Sequence, residues 1–335
     1  MSADIPGDCW MRTLISIIWF VAAQVLCAQS FCAQEAVKSD EGAEQEAGRR
    51  MLECRQTEKA IQVVCNGTVI LHYNVAPRPA PTAELGRYER SGYLHPIRTM
   101  GGSVVTGDFA PDHPHQHGLF TAWVNTRFAG RKVDFWNQHK KTGIVLHDEV
   151  LEIFDEDKRS GFRVALQHSA LSPDGEMTPV LRDVWTVLVS EPVDRDAKEY
   201  EIDFAFKQLN ISDEDLQIAE YHYGGFGFRG RNDWYSEQVK GSTEPLPYRF
   251  LTSDGKGRED GNHTRPDWVM LSGNAERGRV GVRLSGDQSN SGHPHPVRLH
   301  PSKPYFSVTP CYLNAITIKP GETYQARYLI RVFEE

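Results

Sequence analysis

The chain of 335 residues lacks most of the features that assign a protein quickly. It has no tract of lysine and arginine and no zinc-finger spacing, and its formal charge is -8, so nucleic acid is not an expected partner. Gly-Lys-Ser/Thr does not occur, so there is no phosphate loop. No long segment carries the 3.6-residue apolar period of a helix, which argues against a helical architecture. Cysteine is scarce: six residues, of which only Cys54, Cys65 and Cys311 follow the N-terminal segment. An odd number rules out a fully paired framework. We read all three as buried thiols, with one disulfide plus a free thiol as the alternative in an oxidising compartment. A pair of glycosidase carboxylates cannot be picked out of the sequence.

Long apolar runs are also missing. The best, Leu14 to Leu26, is shorter than the roughly 20 residues needed to span a bilayer. Met11-Arg12 precedes it and the small residues Ala28, Ser30 and Ala33 follow, the order of an export signal. Residues 1–33 are therefore expected to be a signal peptide, with Met11 as the better start. Residues 34–50 are expected to be a polar linker, and 51–335 a single domain. A membrane anchor is the alternative for the run, but no stable span is expected in the mature chain. Leu26 and Phe31 precede Cys27 and Cys32, where lipid attachment needs a small residue, so a lipoprotein is not expected. The expected location is periplasmic or extracellular.

What the chain does have is a period of two. Ile61–Cys65 and Thr68–Tyr73 flank Asn66-Gly67, the strongest short hairpin signal. Tyr200, Ile202, Phe204 and Phe206 alternate with Glu201, Asp203, Ala205 and Lys207. Val280, Val282 and Leu284 alternate with Gly281, Arg283 and Ser285, and Tyr324 to Val332 form a last alternating strand. Pro173-Asp174-Gly175, Asp254-Gly255, Gly273-Asn274 and Pro320-Gly321-Glu322 read as turns. The expected fold is all-β: one large antiparallel β-sandwich, of supersandwich or jelly-roll type.

Histidine is concentrated. Asp112-His113-Pro114-His115-Gln116-His117-Gly118 packs three imidazoles and a carboxylate into one segment, and a second cluster, His293-Pro294-His295 followed by Arg298, His300 and Tyr305, comes far along the chain. Histidine serves readily as acid, base or metal ligand near neutral pH. In an extended segment, residues two apart share a face, so His113, His115 and His117 would point together. They are candidate acid–base groups, oriented by Asp108 or Asp112. They are also candidate ligands for a divalent metal such as Zn, Cu or Fe. The structural alternative is that they cap strands. Arg98 can clamp a carboxylate. Trp123 and Trp136 can offer flat faces to a sugar or fill the core. Glu220, His222 and Arg229 punctuate an aromatic, glycine-rich stretch and join the candidates, with an amphipathic strand as their alternative. His293, His295 and Arg298 complete the substrate-binding set, provided that the second cluster folds back beside the first.

These segments resemble a family of secreted bacterial proteins of unestablished activity, labelled "methane oxygenase PmoA-like". The resemblance is carried by Tyr93-Leu94-His95-Pro96, Gly101-Gly102, Val105-Thr106, Asp112 to Leu119 and Asp134-Phe135-Trp136-Asn137. Tyr223 to Phe228, His293-Pro294, Pro320-Gly321-Glu322 and Arg327-Tyr328 add to it, so that it spans roughly 55–333. The chain departs from the family's pattern at Gln116, His117 and Gly107. Methane monooxygenase membrane subunits carry several spanning helices and this chain has none beyond its signal, so the label does not describe its activity. The β-rich pattern is more similar to galactose-mutarotase-like sandwiches and related carbohydrate-active proteins. Three functions follow as expectations, in this order: a secreted glycan hydrolase or lyase using a His-rich cleft, a metal-dependent oxidoreductase, and a non-catalytic glycan-binding protein.

Overall fold

The computed structural model describes residues 50–235 and 246–335. The expected signal peptide, with Cys27 and Cys32, and nearly all of the linker lie outside the described residues. Among the described residues no helix is long and apolar enough to cross a membrane. Residues 51–335 form one compact unit of antiparallel sheets.

One eight-stranded sheet runs, in spatial order, Leu52–Gln56, Ala60–Cys65, Thr68–Asn74, Leu94–Ile97, Leu119–Ala122, Gly225–Arg229, Tyr305–Val308 and Val297–Leu299. A second runs Tyr248–Thr252, Trp268–Ala275, Gly278–Gly286, Thr323–Glu334, Glu199–Asn210, Met177–Ser190, Arg159–Leu171 and Gly143–Glu156. A small sheet holds Ile316–Ile318, Leu216–Ile218, Thr126–Phe128 and Arg131–Val133. The two large sheets face one another across the core. Tyr73 of the first packs its ring on Phe162 and Trp185 of the second, and Phe226 packs on Phe204 and Tyr328. The fold is the all-β sandwich that alternation implies: along Glu199–Asn210, Tyr200, Ile202, Phe204 and Phe206 are buried and face the core.

The hairpin at Asn66-Gly67 forms as expected, with φ of 48° and 80° and Cys65 opposite Thr68. Gly273-Asn274 is not a turn. Both residues lie within Trp268–Ala275, and the chain reverses at Glu276-Arg277 instead. Gly273 is there for close approach: a Cβ would lie 2.6 Å from the indole of Trp234. Cys54, Cys65 and Cys311 are all free thiols, Cys65 and Cys311 fully buried. Burial pushes Cys65 and Cys311 up to about 11 and Cys54 up to about 12.

The histidine-rich segment lies over the outer side of the first sheet, turned away from the second. Period two decides which side chains reach it. Thr121 hydrogen-bonds Asp183 of the second sheet, so its neighbour Phe120 points outward. Phe226 packs inward, so Gly227 and Arg229 point outward. The register pairs Arg229 with Tyr305, Gly227 with Ser307, and Ser307 with Arg298, which places Tyr305 and Arg298 on that same outer face. Trp136 lies over this surface, 4.5 Å from Phe120 between ring centroids. Gly227 makes room for it, since a Cβ there would stand 2.6 Å from the indole.

Candidate active site

A cavity of about 370 Å³ opens over the outer face of the first sheet. Five imidazoles line it: His113, His115, His139, His222 and His300. Arg298, Tyr223, Tyr305 and Asn137 share its walls, and Asp112 is the only carboxylate among the described lining residues. Neighbouring rings form a row. His300 to His113 is 5.7 Å, His113 to His115 is 5.5 Å and His115 to His139 is 5.2 Å between centroids.

The segment that carries His113 and His115 is not extended. His113 N–H donates to the Ala110 carbonyl and Gln116 N–H to the His113 carbonyl, which curls the chain into turns. The alternation expected for His113, His115 and His117 therefore fails. His113 and His115 face the cavity, whereas His117 turns the other way and is 1% exposed. Its Nδ1 lies 2.5 Å from Asp108 Oδ1, and its ring packs on Tyr93 and Phe109. His117 and Asp108 hold the loop and do not line this cavity.

Asp112 is fixed from three sides. Arg229 donates to it through both Nη atoms, at 3.0 and 2.5 Å, and His113 Nδ1 lies 2.6 Å away. Lys303 Nζ is 3.9 Å distant. Burial works to raise the Asp112 carboxyl, but the hydrogen bonds from His113 and Arg229 override it and hold the group below the usual carboxylate range. The carboxylate therefore accepts a proton-bearing Nδ1 from His113. In the neutral ring that leaves the lone pair on His113 Nε2, which has no hydrogen-bond partner among the described residues. The His113 side chain is 34% exposed, enough to meet a ligand.

The other rings are electrically quiet. Burial, with the neighbouring His113, pushes His115 and His300 down to about 3. Burial also lowers His139 and His222. His300 Nδ1 accepts the Ser302 amide at 3.2 Å, so its Nε2 carries the proton and donates. Arg298 reaches only the Leu299 carbonyl, at 3.4 Å, and no described carboxylate is within ion-pair distance of it. Asn137 and His139 are presented by an Asp134 turn. Asp134 Oδ1 accepts the amides of Trp136 and Asn137 at 3.1 and 2.8 Å, and its Oδ2 accepts the Asn137 side chain at 2.9 Å.

Several expected site residues stand elsewhere. His293 and His295 do not reach the cavity. His295 is buried with Nδ1 3.0 Å from the Tyr328 hydroxyl and Nε2 2.8 Å from the Ser291 carbonyl. The strand Val297–Leu299 lies between the two places. A rise of about 3.3 Å per residue puts His295 and His300 roughly 16 Å apart along it. His300 is the member of the second cluster that meets the first. Trp123 is core, its Nε1 donating to Gln208 Oε1 at 2.7 Å, and Trp136 is 1% exposed beneath Tyr223 and Tyr305. Neither offers a face to a ligand: Trp123 points into the core between the sheets, and Trp136 is covered by Tyr223 and Tyr305. Glu220 is exposed and outside the cavity. Arg229 is fully buried behind Asp112 and serves to position it. Arg98 lines a different groove. His222 and Arg298 stand where a cavity role needs them.

The trio His113, His115 and His117 cannot hold one metal, since His117 points away. Among the described residues no group of three His, Cys, Asp or Glu side chains stands at metal-holding distance. None of His139, Tyr223 and Tyr305 is among the residues expected at the site. His139 had a signal, lying two residues beyond the Asp-Phe-Trp-Asn turn. Tyr305 becomes legible only through its pairing with Arg229.

The fold and cavity define a large antiparallel β-sandwich with a histidine-lined pocket on the outer face of one sheet. The chain belongs to a protein family of unknown function, DUF6807, whose model matches residues 60–335. The family name carries no activity, and nothing in the comparisons carries the methane-oxygenase label. No curated protein matches the sequence. Similar solved structures include the Slr1438 protein of Synechocystis sp. PCC 6803, with 13% identity over 86% of this chain and 97% of that one and a TM-score of 0.32. The GH36 alpha-galactosidase AgaA of Geobacillus stearothermophilus is 9% identical over 84% of this chain and 40% of its own, with a TM-score of 0.30. An alpha-galactosidase of Lactobacillus brevis is 11% identical over 85% and 40%, with a TM-score of 0.32. The chain thus spans 40% of the length of these two enzymes, and likenesses this distant assign it no activity.

Proposed function

We propose that the protein is an exported carbohydrate-active enzyme that performs acid–base chemistry on a carboxylate-bearing sugar, as a lyase. One observation carries the reading: Asp112, clamped by Arg229, holds His113 with Nε2 unpartnered at a cavity that also contains Arg298. A hydrolase of the common glycosidase kind needs two carboxylates flanking the bond. Asp112 is the sole described carboxylate lining the cavity, and Arg229 and His113 already occupy it. Imidazole chemistry is the better fit, and Arg298 adds a donor fork for a carboxylate.

In the reaction, the substrate carboxylate lies against Arg298. His113 Nε2 takes the proton from the carbon that bears the carboxylate. The electron pair of that C–H bond becomes an enolate, opposite Arg298 and the His300 Nε2–H. The pair then forms a C=C bond as the C–O bond on the adjacent carbon breaks. His113, now an imidazolium held by Asp112, returns the proton to the departing oxygen. No water and no redox partner enter. A cavity of about 370 Å³ is small-molecule sized, suited to the end of a glycan.

The test is a panel of uronate-containing and neutral polysaccharides, monitored for the ultraviolet absorbance of the new double bond and for new reducing ends. Wild type should generate both signals on a uronate substrate, and His113→Ala should lose them. Reducing ends without absorbance would mean hydrolysis; wild-type activity in His113→Ala would remove that histidine from the chemistry.

A metal-dependent oxidoreductase is the second reading, favoured by the row of rings from His300 to His139 at 5.7, 5.5 and 5.2 Å. No three described ligands converge, so no step is assigned to a metal. Metal analysis of gently purified protein decides it: a stoichiometric transition metal lost with His115→Ala would favour this reading over the first. Non-catalytic glycan binding through tryptophan faces loses its basis, because Trp123 and Trp136 are buried.

A further inference from the structure

A roomier opening than the histidine cavity lies elsewhere among the described residues. Two adjoining hollows, of about 960 and 690 Å³, run along the outer face of the first sheet near Thr68–Asn74 and Leu94–Ile97. They share Arg78, His95, Gly102 and Val104 and so form one groove. His72 and Arg98 complete its wall.

The hydrogen bonding behind this wall fixes what it presents. Gln62 Nε2 donates to His72 Nδ1 at 3.2 Å, from the cross-strand position. A neutral His72 therefore carries its proton on Nε2. Thr106 Oγ1 accepts the Ile97 amide at 3.1 Å and lies 2.9 Å from His95 Nδ1, the described acceptor within reach of its hydroxyl hydrogen, so in the neutral ring the hydroxyl donates there. His95, too, carries its proton on Nε2. Burial pushes His95 down to about 4, and burial with Arg78 and Arg98 lowers His72, so both rings stay neutral donors. His95 is 8% exposed, its Nε2 has no described partner, and it borders both hollows.

The cations divide in the same sense. Arg231 is matched by Asp233 and Glu276, at 2.6 and 2.8 Å. Arg78 is 3.4 Å from Asp108, whose oxygens also accept from His117 and Tyr93. Arg98 has only a 3.4 Å contact with the Val69 carbonyl and no described carboxylate within reach. The groove thus offers N–H donors from the imidazoles of His72 and His95 and the guanidinium groups of Arg78 and Arg98, and the three described carboxylates on its wall, Asp108, Asp233 and Glu276, are already engaged by Arg78, His117 and Arg231.

We propose that this groove is a second binding site, separate from the histidine cavity, which takes an oxyanion (carboxylate, sulfate or phosphate) through Arg98, Arg78 and the Nε2–H groups of His72 and His95. The inference does not rest on the acid–base reading, since it concerns binding alone and a different set of residues.

Titration calorimetry on the full chain at fixed ionic strength tests it, with sodium sulfate, sodium glucuronate, a uronate tetrasaccharide and, as neutral control, glucose. Saturable binding of an anion, none of glucose, is expected. Arg98→Ala and His72→Gln should each weaken it by about tenfold or more, as loss of a charge-assisted or buried donor does. Arg298→Ala removes the donor for a carboxylate in the other cavity, so binding that persists in that variant and is lost in Arg98→Ala belongs to this groove. Tighter binding of the tetrasaccharide than of sulfate identifies the anion as part of a glycan, and the reverse order identifies a free inorganic ion. Circular dichroism checks that each variant folds, and Arg98→Lys should recover part of the affinity. The proposal falls if no anion binds saturably, if glucose binds equally well, or if Arg298→Ala abolishes the signal while Arg98→Ala and His72→Gln spare it.

Discussion

One loop carries two aspartate–histidine pairs, and they have different fates. Asp112 with His113 and Asp108 with His117 have nearly equal contacts, at 2.6 and 2.5 Å between Oδ and Nδ1. The His113 side chain is 34% exposed and faces a cavity; that of His117 is 1% exposed and packs between Tyr93 and Phe109. Composition and geometry are matched, so burial alone separates a group that can exchange a proton with a ligand from one that pins a loop. A hydrogen-bonded Asp–His pair is thus no signature of catalysis until one ring nitrogen is shown to reach open space.

The comparison can be broken most forcefully at His113. His113→Ala should lower turnover on a responsive substrate by about 10²–10⁴-fold, the usual worth of a general base, with the melting temperature nearly unchanged. His117→Ala should do the reverse: steady-state kinetics on the folded fraction close to wild type, but a loss of about 2–4 kcal/mol by chemical denaturation, because a buried ring is removed and Asp108 loses a donor. If the two variants gave the same pattern, exposure would not be what divides the pairs.

Arg229→Met comes next. Removing a fully buried partner leaves the Asp112 carboxylate with only His113 and the more distant Lys303, and a cost of about 3 kcal/mol in urea unfolding is expected. Turnover should fall with it, since His113 loses its orienting group.

The pH dependence sharpens the contrast further. His115 and His300 are held near 3 when folded, against about 6.5 in an unfolded chain. Between those values the unfolded chain binds more protons, so stability rises with pH and is lost as pH falls from about 6.5 toward 3. Each ring contributes up to about 1.4 kcal/mol per pH unit in that window. His115→Gln should flatten the slope of unfolding free energy against pH, and an unchanged slope would show that the ring is solvated. Asp112 acts in the same sense at lower pH, its stabilisation being lost as the carboxyl protonates below its ordinary range.

The smallest effects concern the two tryptophans. Trp123→Phe strands Gln208 and should cost about 1–3 kcal/mol. Trp136 Nε1 is buried without a partner, so Trp136→Phe should cost less, under about 1.5 kcal/mol. Thermal melts of the pair would settle their order.

The sheet architecture was legible in the sequence because a period of two and turn residues are local. Asn66-Gly67 and the alternation from Tyr200 to Phe206 needed no distant information. Gly273 misled because a glycine that admits Trp234 looks, in sequence, like a glycine that turns the chain. The site was partly legible. The crowding of histidine around Pro114 pointed to His113 and His115, but their separation from His117 depends on turn bonds from Ala110 to Gln116. Which member of the second cluster would arrive, His295 or His300, was decided by the pairing of Val297–Leu299 with Tyr305–Val308. Such pairing joins distant residues and leaves no local trace.

Val297–Leu299 is also the outermost strand of its sheet and only three residues long. Its middle residue, Arg298, supplies the pocket's unpaired guanidinium, while Val297 and Leu299 are buried. A slip of one position would bury the cation and swing an aliphatic chain into the pocket. If Arg298 captures the ligand as proposed, anion affinity of the cavity is a gauge of edge-strand alignment, and a distant mutation that loosens this border would first be noticed as weakened ligand capture, before any melting of the sandwich.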